Sequence, residues 1–202
     1  MPGRAQYYFS GWLYLPVFVK AVACRRAARR AGLGWEADIA PDTGKLHATA
    51  MEWSSIAQDF EPDGGLRDIY ILNASLSVWE NVWALLTADP DLLEFWVDGD
   101  RTDPPSDLQK IFERRPFHGF LATYRLGTMG LNCHFFGADE VELDLDPQEV
   151  RSAADGELLE RFLTQMGRAT SQEVILTPEN QRDSAIARYD PAVDRVTWSS
   201  AR

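Results

Sequence analysis

From residue 67 onward the apolar positions of the chain follow two periods. The runs Arg67–Leu72, 92–97, 117–126, 131–136, Glu140–Leu145 and 173–177 are short and rich in β-branched and aromatic residues, either continuously apolar or alternating. Runs of that kind, bounded by Gly, Pro, Asp and Asn, predict strands. Two more strands are expected at 185–190 and 194–198. Elsewhere Leu76, Trp79, Val82, Trp83 and Leu86 recur every three or four residues, as do Leu158, Leu159, Phe162, Leu163 and Met166. That spacing puts one apolar stripe on each of two helices, the second over about 156–169. Ser77 and Glu80 have capping-box spacing at the head of the first helix, and Asp89-Pro90 ends it. Ser106 and Gln109 repeat that spacing before a short helix over 106–115. The element order predicts an α+β fold: a mixed, largely antiparallel sheet containing a three-stranded meander over about 117–146, with amphipathic helices packed on one face.

Because side chains alternate along a strand, the apolar pattern also restricts how the meander pairs. Setting Leu131, Cys133 and Phe135 opposite Leu145, Leu143 and Val141 buries all six together. Joining 117–126 to 131–136 through Gly127-Thr128-Met129-Gly130 pairs Leu126 with Leu131. One row of the opposite face then reads Thr123, His134, Glu142, and the next Arg125, Asn132, Asp144. A histidine between a hydroxyl and a carboxylate is the raw material of general acid–base or nucleophilic catalysis. Arg125 with Asp144 makes an anchor pair, or leaves Arg125 as an anion clamp. His134, Glu142, Thr123 and Arg125 are therefore the candidate catalytic residues. The same residue types are also what a wet antiparallel face carries as stabilising cross-strand pairs.

Along the last strand of the meander, Glu140, Glu142, Asp144 and Asp146 project from one face, about 6.8 Å apart at ~3.4 Å rise per residue. That separation is too wide for neighbouring carboxylates to share one metal ion. Together with Asn132 and Arg125 they form a candidate binding surface suited to a basic protein partner.

Charge sharpens this expectation. The 202 residues carry a formal charge of −11, but residues 1–50 hold seven basic and three acidic side chains, while 51–202 hold thirteen basic and 28 acidic. A body at −15 lacks the clustered Lys/Arg that grips phosphate backbones or anionic lipid, so no nucleic-acid or membrane partner is expected. An acidic surface instead steers a basic partner toward it. The only cysteines, Cys24 and Cys133, show no metal-binding spacing, and Cys133 falls on the apolar face as an inert core thiol. No metal or cofactor is expected, and a reducing cytoplasm is the simplest location. Asp98, Asp100 and Asp103 lack the glycine and terminal glutamate of a calcium loop and read as a turn. His47 and His118 have no evident partners.

The first fifty residues differ from the rest. An apolar run at 7–19 is followed by KAVACRRAARR at 20–30, so positive charge follows the run, where a signal peptide would have it first. Pro16 and Lys20 interrupt it as a membrane span. The segment reads either as a strand and an Arg/Ala helix over about 17–31 docked on the main domain, or as a non-native extension with Met51 as the start. The domain expectation is thus a basic, apolar extension at 1–50 and one acidic α+β domain at 51–202.

Three function classes are compatible with these features. The first is a protein-interaction module, adaptor-like or immunity-like, using its acidic sheet face. The second is a small hydrolase or isomerase built on Thr123, His134 and Glu142. The third is a small-ligand sensor with a pocket of Trp79, Trp83 and Trp96.

Overall fold

In a computed structural model of the chain, residues 53–199 are described. The expectations for the first fifty residues, including the strand and Arg/Ala helix, lie outside the described residues, as do Cys24 and His47.

Nine strands form one sheet: β1 (Arg67–Leu72), β2 (Leu93–Val97), β3 (Asp100–Thr102), β4 (Phe120–Leu126), β5 (Met129–Gly137), β6 (Glu140–Leu145), β7 (Val174–Pro178), β8 (Ala187–Asp190) and β9 (Arg195–Trp198). Their order is β3-β2-β4-β5-β6-β1-β7-β8-β9. Every pairing among them is antiparallel, so the fold is α+β with a wholly antiparallel sheet where a mixed one was expected. The helices are α1 (Trp53–Ile56), α2 (Leu76–Leu86), α3 (Gln109–Arg114) and α4 (Ala153–Thr170).

Helices α2, α3 and α4 share one face of the sheet. Trp79 of α2 stacks on Phe135 of β5 at 5.3 Å, Phe112 of α3 reaches the same ring, and Phe162 of α4 stacks on Tyr124 of β4. Ile69, Ile71, Ala122, Leu131, Cys133, Val141, Leu143 and Leu176 line this face, each fully buried. The stripe Leu159, Phe162, Leu163, Met166 closes over them, as its spacing predicts. Helix α4 approaches β8 so closely that a methyl group on Gly167 would stand 2.0 Å from the Tyr189 ring. Burial pushes the Cys133 thiol far above its ordinary range, as befits a core residue.

Helix ends differ from expectation in their caps. Ser75, two residues before the expected Ser77, accepts from the Val78 amide and starts α2. Ser152 does the same for α4 through the Asp155 amide, so the helix begins before 156. At α3 the first side-chain acceptor is Asp107 Oδ1, from the Gln109 amide, in place of Ser106. Asp98 and Gly99 turn β2 into β3 with φ of 52° and 88°, the paired positive values of a tight hairpin loop.

The main correction concerns β4 and β5. Leu126 pairs with Met129, across a two-residue loop whose first residue, Gly127, takes a φ of 61°. The four-residue loop would have placed Leu131 there. The register is therefore shifted by two: Tyr124 faces Leu131, Ala122 faces Cys133, Thr123 faces Asn132 and Arg125 faces Gly130. Pairing of β5 with β6 follows expectation at Asn132–Asp144, Cys133–Leu143 and His134–Glu142. Beyond His134 a bulge sets Phe135 and Phe136 against Val141 alone, before Gly137 meets Glu140.

Candidate functional site

The opposite face of the sheet carries no described helix. Two rows cross it. The first runs Trp96, Leu121, His134, Glu142, Tyr70, Ile175 from β2 through β4, β5, β6 and β1 to β7. The second runs Glu94, Thr123, Asn132, Asp144, Asp68, Thr177 over the same strands. Asp68 and Tyr70 of β1 complete these rows, and both were missed by sequence reasoning, because β1 lies beside β6 only through non-local pairing. The one available signal was a charged residue within an apolar run, at a position two before Tyr70.

The second row sets two carboxylates, Asp68 and Asp144, directly opposite each other, an arrangement that repels unless each is compensated. Both are nearly buried, at 3% and 6% exposure. Asp144 accepts from Asn132 Nδ2 at 2.8 Å and from His134 Nε2 at 2.6 Å. Asp68 accepts from the Tyr70 hydroxyl and from the Asn180 backbone amide, both at 2.7 Å. Thr123 Oγ1 donates to Asn132 Oδ1, so a chain runs Thr123, Asn132, Asp144, His134. Burial, aided by the Asp144 charge, raises the Asp68 carboxyl above its ordinary range despite these bonds. Burial, and then its bond to Asp68, raise the Tyr70 phenol strongly.

Glu142 sits half-buried one row away. Burial pushes its carboxyl up to about 7; the charges of Asp68 and Glu140 act in the same direction, and those of His134 and Arg182 against it. Glu140 pairs with Arg182 from the β7–β8 loop at 2.6 Å. Beside them the His134 ring lies flat against Phe136, 4.9 Å between centroids and 4° between planes. Phe136 is itself 45% exposed, a large apolar group at the rim of the acidic cluster.

The sequence-predicted site residues are thus partly reunited and partly dispersed. His134 does face Glu142 across the β5–β6 ladder, but its imidazole bonds Asp144. Thr123 faces Asn132, which dissolves the expected Thr123–His134–Glu142 row. Arg125 points away from Asp144; its guanidinium donates to the Asp91 carbonyl and the side chain is exposed. Asp146 leaves the carboxylate ladder altogether: it follows the end of β6 and caps a 3-10 turn through the Gln148 amide. His118 does have a partner, Asp98 Oδ2 at 2.7 Å. No family of known proteins, curated protein or solved structure matches this chain.

Two hollows accompany these rows. One, about 200 Å³, opens on the helix-free face between Tyr70, Leu72, Asn73, Gln172, Glu173 and Ile175. The other, about 530 Å³, lies between α2 and the loop before α3, lined by Glu80, Trp83, Thr87, Pro105 and Asp107 among others. Only one of the three expected tryptophans borders it. Trp79 is fully buried in the core, and Trp96 lies in the His134 row on the other side of the sheet. Among the described residues no group of three or more His, Cys, Asp or Glu side chains is placed to hold a metal ion. Nor is any described helix long and apolar enough to cross a membrane.

Proposed function

We propose that this chain is a protein-interaction module that takes a basic partner on the helix-free face of its sheet. The observation that carries the reading is the gathering of four carboxylates, Asp68, Glu140, Glu142 and Asp144, on adjacent strands of that face. Arg182 pairs with Glu140, and the His134 imidazole bonds Asp144. Asp68 and Asp144 are nearly buried and act through their charge, so an incoming guanidinium or ammonium would meet the partly exposed Glu140 and Glu142. Phe136 stacks on His134 beside the cluster, and Leu121 and then Trp96 continue the His134 row away from it, which supplies the aromatic and apolar contact that protein interfaces combine with charge. A cytoplasmic setting suits a chain with two cysteines and a buried thiol.

The hydrolase reading is weaker because it lacks a nucleophile at its base. Thr123 Oγ1 is bonded to Asn132, and the Tyr70 hydroxyl to Asp68. The sensor reading is weaker because its three tryptophans stand on two sides of the sheet.

The test is capture of a partner from host lysate by the full chain at low and high salt, set beside capture by a Glu140→Lys variant. The expected result is a partner of basic composition, lost at high salt and lost with the variant. Capture that ignores both salt and Glu140→Lys would overturn the reading.

A further inference from the structure

The loop between β7 and β8 lays an arginine onto the acidic face. The Arg182 guanidinium carbon stands 5.0 Å from the centroid of the Tyr70 ring, while Nη2 donates to Glu140 Oε1 at 2.6 Å. Its charge also acts on Glu142 and on the Tyr70 phenol. Tyr70 is 1% exposed and therefore fixed, whereas Arg182 is 51% exposed at a loop tip. The loop is held by bonds that do not use this side chain: Asn180 N to Asp68, Gln181 N to the Pro178 carbonyl, and Ser184 N to the Gln181 carbonyl. The guanidinium can swing off without unmaking the loop. Next to it lies the 200 Å³ hollow floored by Tyr70, Leu72 and Ile175. That volume is below the ~300–1,000 Å³ of small-molecule pockets and suits one long side chain.

We propose that the Tyr70–Glu140 position is a guanidinium seat, filled by Arg182 in the free protein and by an arginine of the partner in the complex. This rests on the acidic-face reading above and adds to it the chemistry of the anchor and the group it displaces. Arginine is favoured over lysine because a flat, weakly hydrated cation can lie on the Tyr70 ring while still donating to a carboxylate. Displacement is easy, since a half-exposed ion pair contributes little to the free protein. The stem of the incoming side chain can then lie along Leu72 and Ile175, as long cationic side chains do on apolar surface.

The experiment is calorimetric titration of the full chain with a short Arg-Ser repeat peptide and its Lys-Ser counterpart, on wild type, Arg182→Ala and Glu140→Gln. The wild type is expected to bind the arginine peptide more tightly than the lysine peptide. Arg182→Ala should tighten the arginine peptide by about two- to fivefold, because the seat starts empty. Glu140→Gln should weaken it. If Arg182→Ala binds no tighter, or the two peptides bind alike, the seat is overturned, while weakening by Glu140→Gln would leave the acidic-face reading standing. If neither peptide binds any of the three proteins, both fall. Arg182→Gln serves as the second variant should the alanine protein fail to fold.

Discussion

The two faces of this sheet are built from alternate residues of the same strands and are closed by different physics. On one, Ile69, Cys133, Leu143 and Leu176 meet three helices and are sealed by packing. On the other, Asn132 and His134 satisfy Asp144, while the Tyr70 hydroxyl and the Asn180 loop amide satisfy Asp68. Apolar burial is non-directional and tolerates many arrangements, whereas a polar network is stable only when every member finds its partner.

Breaking each face in turn should give graded results. Trp79→Ala removes a fully buried ring that touches both Phe112 and Phe135, and should cost about 3–5 kcal/mol in denaturant unfolding. Asp144→Ala strands the His134 and Asn132 donors, at about 1–3 kcal/mol. Asp144→Asn should cost less, because an amide oxygen still accepts and the repulsion from Asp68 disappears. If the two substitutions cost the same, the network is not what stabilises this face.

Smaller effects follow from charge alone. Glu142 holds its proton in the folded protein up to about 7, against an ordinary value of 4.5. Its stabilising contribution is complete below the ordinary value, falls as pH rises toward 7, and is gone above it. His134, Arg182, Tyr70, Asp68 and Glu140 face this carboxyl, and the raised Asp68 carboxyl acts in the same sense. Thermal melts of the wild type should therefore decline from pH 5 to pH 8, and Glu142→Gln should flatten most of that slope. After screening at a half-exposed site, the difference at pH 8 is on the order of 1 kcal/mol. Phe136→Ser should change stability by less than about 0.5 kcal/mol, given 45% exposure, yet weaken partner binding.

What the sequence disclosed depended on parity. Alternation assigned Cys133 and Leu143 to the core and His134 and Glu142 to the other side, and the β5–β6 register followed. It could not distinguish Leu126 opposite Leu131 from Leu126 opposite Met129. A shift by two keeps every apolar residue on its own face, and only the positive φ of Gly127, a matter of turn geometry, selects the shorter loop. Thr123 moved away from His134 for that reason. Asp68 and Tyr70 were invisible as site residues because no local pattern announces that β1 sits between β6 and β7. Asp146 was misplaced because the alternation continues past Leu145, while Pro147 turns the chain into a 3-10 segment.

That insertion of β1 has a kinetic consequence. The strands from β2 to β6 pair as near neighbours in sequence, and so do β7, β8 and β9, so each set can zip up from local turns. Within the sheet the two sets join through β1, where Ile69 lies against Leu143 on one side and Leu176 on the other. Closing that seam pairs strands far apart in sequence on both sides. Substitutions in β1 should then speed unfolding more than they slow folding, and the acidic face, which draws Asp68 and Tyr70 from this strand, would be the last part of the molecule to assemble.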